Sequence, residues 1–285
     1  MKKAILILLT AGLFSAAYAQ EKALLYEVSG KDLAQPSYLY GTFHLVCPTD
    51  LQLTGATRKA LTVAKQLYLE IDFDDPALQT TMMKAMMLSD GKNLRDFLKP
   101  DDYTALDTYM RQNLGAGLAQ MGTLKPIALL SVMFVSILNC QPASYDQTFA
   151  QLAGQDKKEV FGLETIEQQM ALLDRVPLDQ QLKGLVDIAR KPDEARKEIT
   201  NLLAAYKAQD VALLMKLMRD SKFDGETKGF EEELLDKRNR NWIPVIEKAA
   251  HDKATFFAFG AGHLGGTNGV VSLMRQKGYT VKAVQ

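Results

Sequence analysis

Two short stretches near opposite ends of the chain finish in the same way. "YLYGTFHL", from Tyr38, and "FFAFGAGHL", from Phe256, each run from a block of aromatic and apolar residues into Gly-x-x-His. The pairs are Gly41 with His44 and Gly260 with His263, in a chain that has only 3 histidines. Such blocks read as β-strands. A glycine at the strand end permits a sharp turn, or a close approach of backbone to a ligand. A helix pattern and another strand follow each block. At the front these are "LTGATRKALTVAK" and "QLYLEIDF"; at the end they are "GVVSLMRQKG" and "YTVKAVQ". A chain that runs strand, Gly-x-x-His, helix, strand at both ends is expected to place the two histidines at one edge of one sheet.

The rest of the pattern agrees with that frame. "ALLYEVSG" and "KKEVFGLET" add two strands. Helical spacing dominates between them. One helix is expected from the Asp75-Pro76 cap to Gly91, and two more in "KPDDYTALDTYMRQNLGAG" and "TLKPIALLSVMFVSILNC". Later helices are expected in "TIEQQMALLDRV", "LDQQLKGLVDIARK", from Asp193 to Asp220, and from Phe230 to Lys253. Strands alternating with helices give an α/β fold with a central mixed, mostly parallel sheet, helices on both faces and a large helical insertion. The methionines at 82, 83, 86 and 87 are expected to fill core; an adaptable apolar groove is the other reading.

Residues 1–19 are set apart as a signal peptide. Lys2 and Lys3 precede an apolar run, and Ala17-Tyr18-Ala19 is a small-x-small cleavage site. Cleavage is expected after Ala19, which leaves 20–285 as the α/β domain in the periplasm or outside the cell. No later segment has the roughly 20 uninterrupted apolar residues that span a bilayer, so no membrane anchor is expected after cleavage. The 285 residues are 47% hydrophobic with a formal net charge of zero. That allows a sizeable core and argues against nucleic acid as a partner. An exported chain with two cysteines raises the prospect of a Cys47–Cys140 disulfide, joining the segment after His44 to the one before Asp146; two buried free thiols are the alternative.

Sites in open α/β sheets form at the carboxyl ends of strands. There the sequence puts His44, the pair Glu70 and Asp72, Glu164 and His263. Two imidazoles with carboxylates suit a divalent metal such as Zn, Mn or Co. Glu70 also reads as an ordinary strand-end charge, and Glu164 as a charge at a helix N-terminus. Arg238 and Asn239 fall inside a helix pattern near the only tryptophan. They are solvated side chains, or Arg238 clamps a carboxylate or an oxyanion. His251 ends a helix and needs only the last carbonyls. "GAGHLG" matches the dinucleotide-binding Gly-x-Gly-x-x-Gly, but no Asp or Glu follows Asp252 to take a ribose hydroxyl, so a nicotinamide cofactor is excluded.

At these residues the chain resembles the TraB/GumN family, which includes the TIKI proteases. The landmarks occur in order: "YLYGTFHL" with Gly41 and His44, "LYLEIDF" with Glu70, and "SYDQTFAQLAGQDKKEVFGLETIEQQ" with Asp146, Glu164 and Gln168. "KRNRNW" with Arg238 and Asn239 follows, then "GAGHLGGTNG" with Gly260 and His263. The resemblance implies a fold shared with ChaN-like and erythromycin-esterase-like proteins. It implies a metal site from the paired Gly-x-x-His motifs and a glutamate, with Mn or Co as the ion, and metal-dependent peptide-bond cleavage in the TIKI branch. On that footing His44, Glu70 and His263 would hold a divalent metal (Mn, Co or Zn). Glu164, Arg238 and Asn239 would be catalytic, with Glu164 the general base and Arg238 at the oxyanion. Gly41, Gly260, Asp146 and Gln168 would line the substrate, a peptide or small molecule. The alternative is an exported, non-catalytic binding protein for a peptide, haem or another small ligand.

Overall fold

A computed structural model describes residues 22–223, 230 and 232–285. The proposed signal peptide lies outside these. In chain order the elements begin with β1 (Leu25–Ser29), β2 (Ser37–Thr42), α1 (Gly55–Val63), β3 (Gln66–Leu69) and α2 (Leu78–Ala85). The insertion follows as α3 (Pro100–Leu114), α4 (Leu118–Met121), α5 (Pro126–Leu138) and α6 (Tyr145–Gln155). Next come β4 (Glu159–Gly162), α7 (Ile166–Leu173), α8 (Leu178–Arg190), α9 (Pro192–Lys207) and α10 (Val211–Arg219). A π-helical turn (Glu232–Lys237) leads into α11 (Arg238–Asp252), then β5 (Thr255–Gly260), α12 (Val270–Gln276) and β6 (Thr280–Val284).

The six strands form one mixed sheet in the order β4-β3-β5-β2-β1-β6. The four strands β4, β3, β5 and β2 are parallel, while β1 pairs antiparallel with both β2 and β6, so that β1 alone is reversed. β5, "TFFAFG", is buried almost throughout, as a parallel strand covered on both faces should be. Register does the positioning: Thr42 pairs with Gly260, and Leu69 with Gly162. The two Gly-x-x-His loops therefore leave the sheet side by side, with the residue after Leu69 next to them.

The core has two main parts. One surrounds the sheet and includes Phe256, Phe257, Phe259, Phe149 and Trp242. The other belongs to the helical insertion, with Leu106, Met110, Leu129, Met133 and Leu185 between α3, α5 and α8.

Several elements differ from the sequence pattern. The helix expected from Asp193 to Asp220 is two helices. Gln209 takes a left-handed φ of 55°, and the Asp210 side chain accepts from Leu213 N at 2.9 Å. An aspartate that can cap a new helix wins over the continuous apolar period. α2 ends at Ala85, before Gly91. None of its residues is buried; Met83 is 62% exposed and Met87 38%. The core-filling expectation for the methionine run is therefore overturned: only Met82 reaches a cluster, the small one around Ile71, Ile166 and Met170. Arg238 is not in mid-helix but opens α11, directly after the π-helical turn.

Cys47 and Cys140 are joined, with Cα atoms 5.9 Å apart. Beside the bond, Val46 and Ala143 form a two-way backbone bridge, Val46 N to Ala143 O at 2.9 Å and the reverse at 2.8 Å. The loop that carries His44 is thereby tied to the start of α6, which carries Asp146.

Candidate functional site

The carboxyl end of the parallel strands brings His44, Glu70, Glu164 and His263 together, with Arg238 reaching in from α11. Glu70 follows β3 and is 5% exposed. Its Oε1 accepts from Gly260 N at 2.8 Å, and its Oε2 from Arg238 Nη2 at 2.5 Å. A Cβ on Gly260 would stand 3.3 Å from Glu70 Oε1 and 3.5 Å from His44 Nε2, so the absent side chain is what lets these groups converge. Gly41 serves packing instead: a Cβ there would stand 2.6 Å from Leu264 Cδ1 and 3.0 Å from Ala261 Cα.

Each histidine has its Nδ1 held from behind. In the His263 ring, Nδ1 lies 2.7 Å from Asn239 Oδ1 and donates to it, because the Asn239 amide group donates to the Asn268 carbonyl at 2.9 Å. His263 Nε2 is then the lone-pair nitrogen, and Arg238 Nη1 faces it at 3.1 Å. For His44, Nδ1 lies 3.0 Å from Asp146 Oδ2, and Thr42 Oγ1 donates to Asp146 Oδ1 at 3.3 Å. Both Nε2 atoms stand 3.9 Å from the same oxygen, Glu70 Oε1.

Arg238 ties the carboxylates together. Nη2 reaches Glu164 Oε1 at 2.6 Å as well as Glu70, and Nε meets Glu164 Oε1 at 3.0 Å. The guanidinium lies 4.8 Å from the Trp242 ring centre, and Trp242 Nε1 donates to Glu164 Oε2 at 3.2 Å. Gln169 Nε2 donates to both Glu70 Oε2 and Glu164 Oε1, at 3.1 Å each.

Burial and charge set the protonation states. Burial alone would raise the Glu70 pKa. The charges of Arg238 and His44, with the Gly260 N–H, outweigh it and hold Glu70 ionised, far below the usual carboxylate range. Burial pushes His263 down to about 3, only partly offset by Glu70, so its imidazole is neutral at neutral pH. His44 moves the other way: burial lowers it, but the hydrogen bond to Asp146 and the charge of Glu70 win and raise it. Its side chain is 63% exposed, so water screens that pairing.

The donor chemistry suits a divalent cation. Two imidazoles each have Nδ1 engaged by an oxygen and Nε2 turned to one ionised carboxylate, the arrangement that orients metal-binding histidines. Yet among the described residues no group of three or more His, Cys, Asp or Glu stands close enough to hold a metal ion. Arg238 occupies His263 Nε2 and Glu70 Oε2. Ligation at His263 needs the guanidinium to release that nitrogen.

Gln168 makes no contact with the site carboxylates: its side chain accepts from Thr165 N at 3.0 Å and closes the capping box of α7. Gln169, one residue on, meets the site carboxylates. Asp72 stays outside the cluster and accepts from Asp74 N at 3.2 Å. His251 pairs with the Tyr279 hydroxyl at 3.0 Å. Sequence reasoning passed over Gln169 and Trp242. Trp242 was reachable, because it lies four residues from Arg238 on one helix face.

The model of the TraB/PrgY/gumN family matches residues 24–283. Metalloprotease TIKI2 of Xenopus tropicalis is 25% identical over 300 residues, covering 87% of this chain and 57% of the relative. Metalloprotease TIKI1 of Danio rerio is also 25% identical, over 87% of this chain and 60% of its own length. Metalloprotease TIKI1 of Homo sapiens is 24% identical, over 87% and 59%. The chain thus spans less than two thirds of the curated relatives it matches. No solved structure matches significantly. Among the described residues, no helix is long and apolar enough to cross a membrane.

Proposed function

The chain belongs to the TraB/PrgY/gumN family, and we propose that it is an exported metal-dependent hydrolase of the peptidase type. The observation that carries the reading is the convergence of His44 Nε2 and His263 Nε2 on Glu70 Oε1, each at 3.9 Å, with both rings oriented from behind. These three side chains would hold a divalent cation, Mn, Co or Zn. When bound, such an ion supplies a Lewis acid for a substrate carbonyl and acidifies a water.

The chain's own groups have separable tasks. Asn239 fixes the His263 tautomer and Asp146 orients His44. Glu164 accepts a proton from the attacking water, and Gln169 and Trp242 hold its carboxylate in place. Arg238, once it yields His263 Nε2, offers that donor to the negative oxygen that develops on the substrate. The names of the TIKI relatives support metal-dependent proteolysis, and the substrate is proposed to be a peptide.

The test is metal content after reconstitution with Mn, Co and Zn, comparing wild type with the double variant His44→Ala/His263→Ala. One equivalent in the wild type, lost in the double variant, supports the reading. Equal metal in both, or hydrolysis that survives in the double variant, overturns it. A protein that holds no metal but binds peptide or haem would instead be the binding protein of the second reading.

A further inference from the structure

β4 is the outermost strand on the parallel side of the sheet. Leu163 N donates to Leu69 O at 2.8 Å, so by the alternation of a parallel ladder Phe161 and Glu159 face β3. The N–H and C=O of Val160 and Gly162 then point away from the sheet. A cavity of about 770 Å³ lies alongside, lined in succession by Phe161, Gly162, Leu163 and Glu164. That volume is in the range of ligand sites. Its aromatic wall is Tyr68 and Phe161, whose rings are 4.9 Å apart. Glu164 belongs both to this cavity and to the site, where Arg238 holds it. A segment lying along β4 is thus led to the reacting groups.

Charge selects the occupant. Asp72, Asp75 and Glu167 also line the cavity, against the single cation Lys248. Among the described residues none of the three carboxylates has a Lys or Arg partner. Glu164, by contrast, is neutralised by Arg238.

We propose that this cavity is a substrate-docking cleft, in which an extended peptide segment pairs with the edge of β4 at Gly162 and places a lysine or arginine side chain among Asp72, Asp75 and Glu167. Backbone pairing supplies affinity, and the pocket supplies side-chain choice. The aromatic wall packs the methylenes of the basic side chain. This deepens the peptidase reading by naming the substrate segment.

The test is fluorescence anisotropy on the full-length protein with metal chelated, so that binding is read without cleavage. The probes are blocked, labelled heptapeptides of alternating valine and threonine, with arginine or glutamate at the centre. A third probe is the arginine peptide N-methylated on alternate amides. The arginine peptide is expected to bind at least tenfold more tightly than the glutamate peptide, and N-methylation should abolish binding. Glu167→Gln, a change at an exposed helix position, should narrow the arginine preference severalfold while leaving the fold intact by circular dichroism. Equal binding of the two peptides, or binding unaffected by N-methylation, overturns the proposal. Arginine-selective binding by a protein that hydrolyses nothing would uphold the cleft and sink the hydrolase. Metal-dependent hydrolysis without basic preference would do the reverse.

Discussion

The two Gly-x-x-His loops share a motif and a position at the end of adjacent parallel strands, yet their histidines live in opposite surroundings. His263 has a side chain 5% exposed, packed with its ring centre 4.5 Å from that of Trp242. His44 is 63% exposed and stands at the rim. The buried ring is held by neutral and cationic side chains, Asn239 and Arg238. The rim ring is held by a carboxylate, Asp146, on a loop fastened by a disulfide. An interior imidazole can be kept in place by packing, provided each nitrogen finds a partner. A rim imidazole has little packing, so its loop must be stiffened by other means.

Removing the cation from the buried half should be the most damaging change. Arg238→Met leaves Glu70 and Glu164 as uncompensated buried carboxylates, a loss of about 3–5 kcal/mol. Urea unfolding monitored by Trp242 fluorescence checks this, and an unchanged midpoint would show that the buried half does not depend on its cation. The rim half should respond next. Cys47→Ala/Cys140→Ala releases a cross-link of sequence separation 93, a loss of about 2–4 kcal/mol. Hydrogen exchange should rise around His44 and Asp146 and stay unaltered around His263; a uniform rise would erase the distinction.

The two glycines sharpen the contrast. Gly41→Ala forces its new methyl against Leu264 and Ala261, and should lose about 1–3 kcal/mol of stability. Gly260→Ala places its methyl between Glu70 and His44, where the nearest atoms are side-chain ends. Its thermal midpoint should hardly move, while metal binding falls. The reverse ranking would mean that the glycines had exchanged roles. A last pair separates the ring supports. Asn239→Ala orphans a buried Nδ1–H and should lose about 1–3 kcal/mol. His44→Ala, at an exposed position, should shift stability by no more than about 0.5 kcal/mol. Comparable losses from the two would put His44 inside the packed structure after all.

Much of this arrangement was legible along the chain. Residue type and turn signals alone place His44, Glu70, Glu164 and His263 at strand ends, and the structure puts all four at one sheet edge. Gln169 shows the limit. It sits beside Gln168 in the same helical turn, and one step of about 100° decides which glutamine caps the helix and which meets Glu70. Arg238 shows another. Its segment has an unbroken helical pattern, and the π-helical turn that brings the guanidinium inward left no mark in the periodicity. The helix expected to run unbroken from Asp193 to Asp220 failed because a local cap competed with the apolar period.

The sequence by itself determined the α/β alternation, the strands and the chemistry at their ends, because period and turn residues are properties of neighbours along the chain. Tertiary structure alone decided which strands lie side by side, which histidine is buried, which glutamine reaches the carboxylates, and that Arg238 bridges His263, Glu70 and Glu164. Those outcomes depend on register and packing between residues far apart in sequence, and no local pattern encodes them.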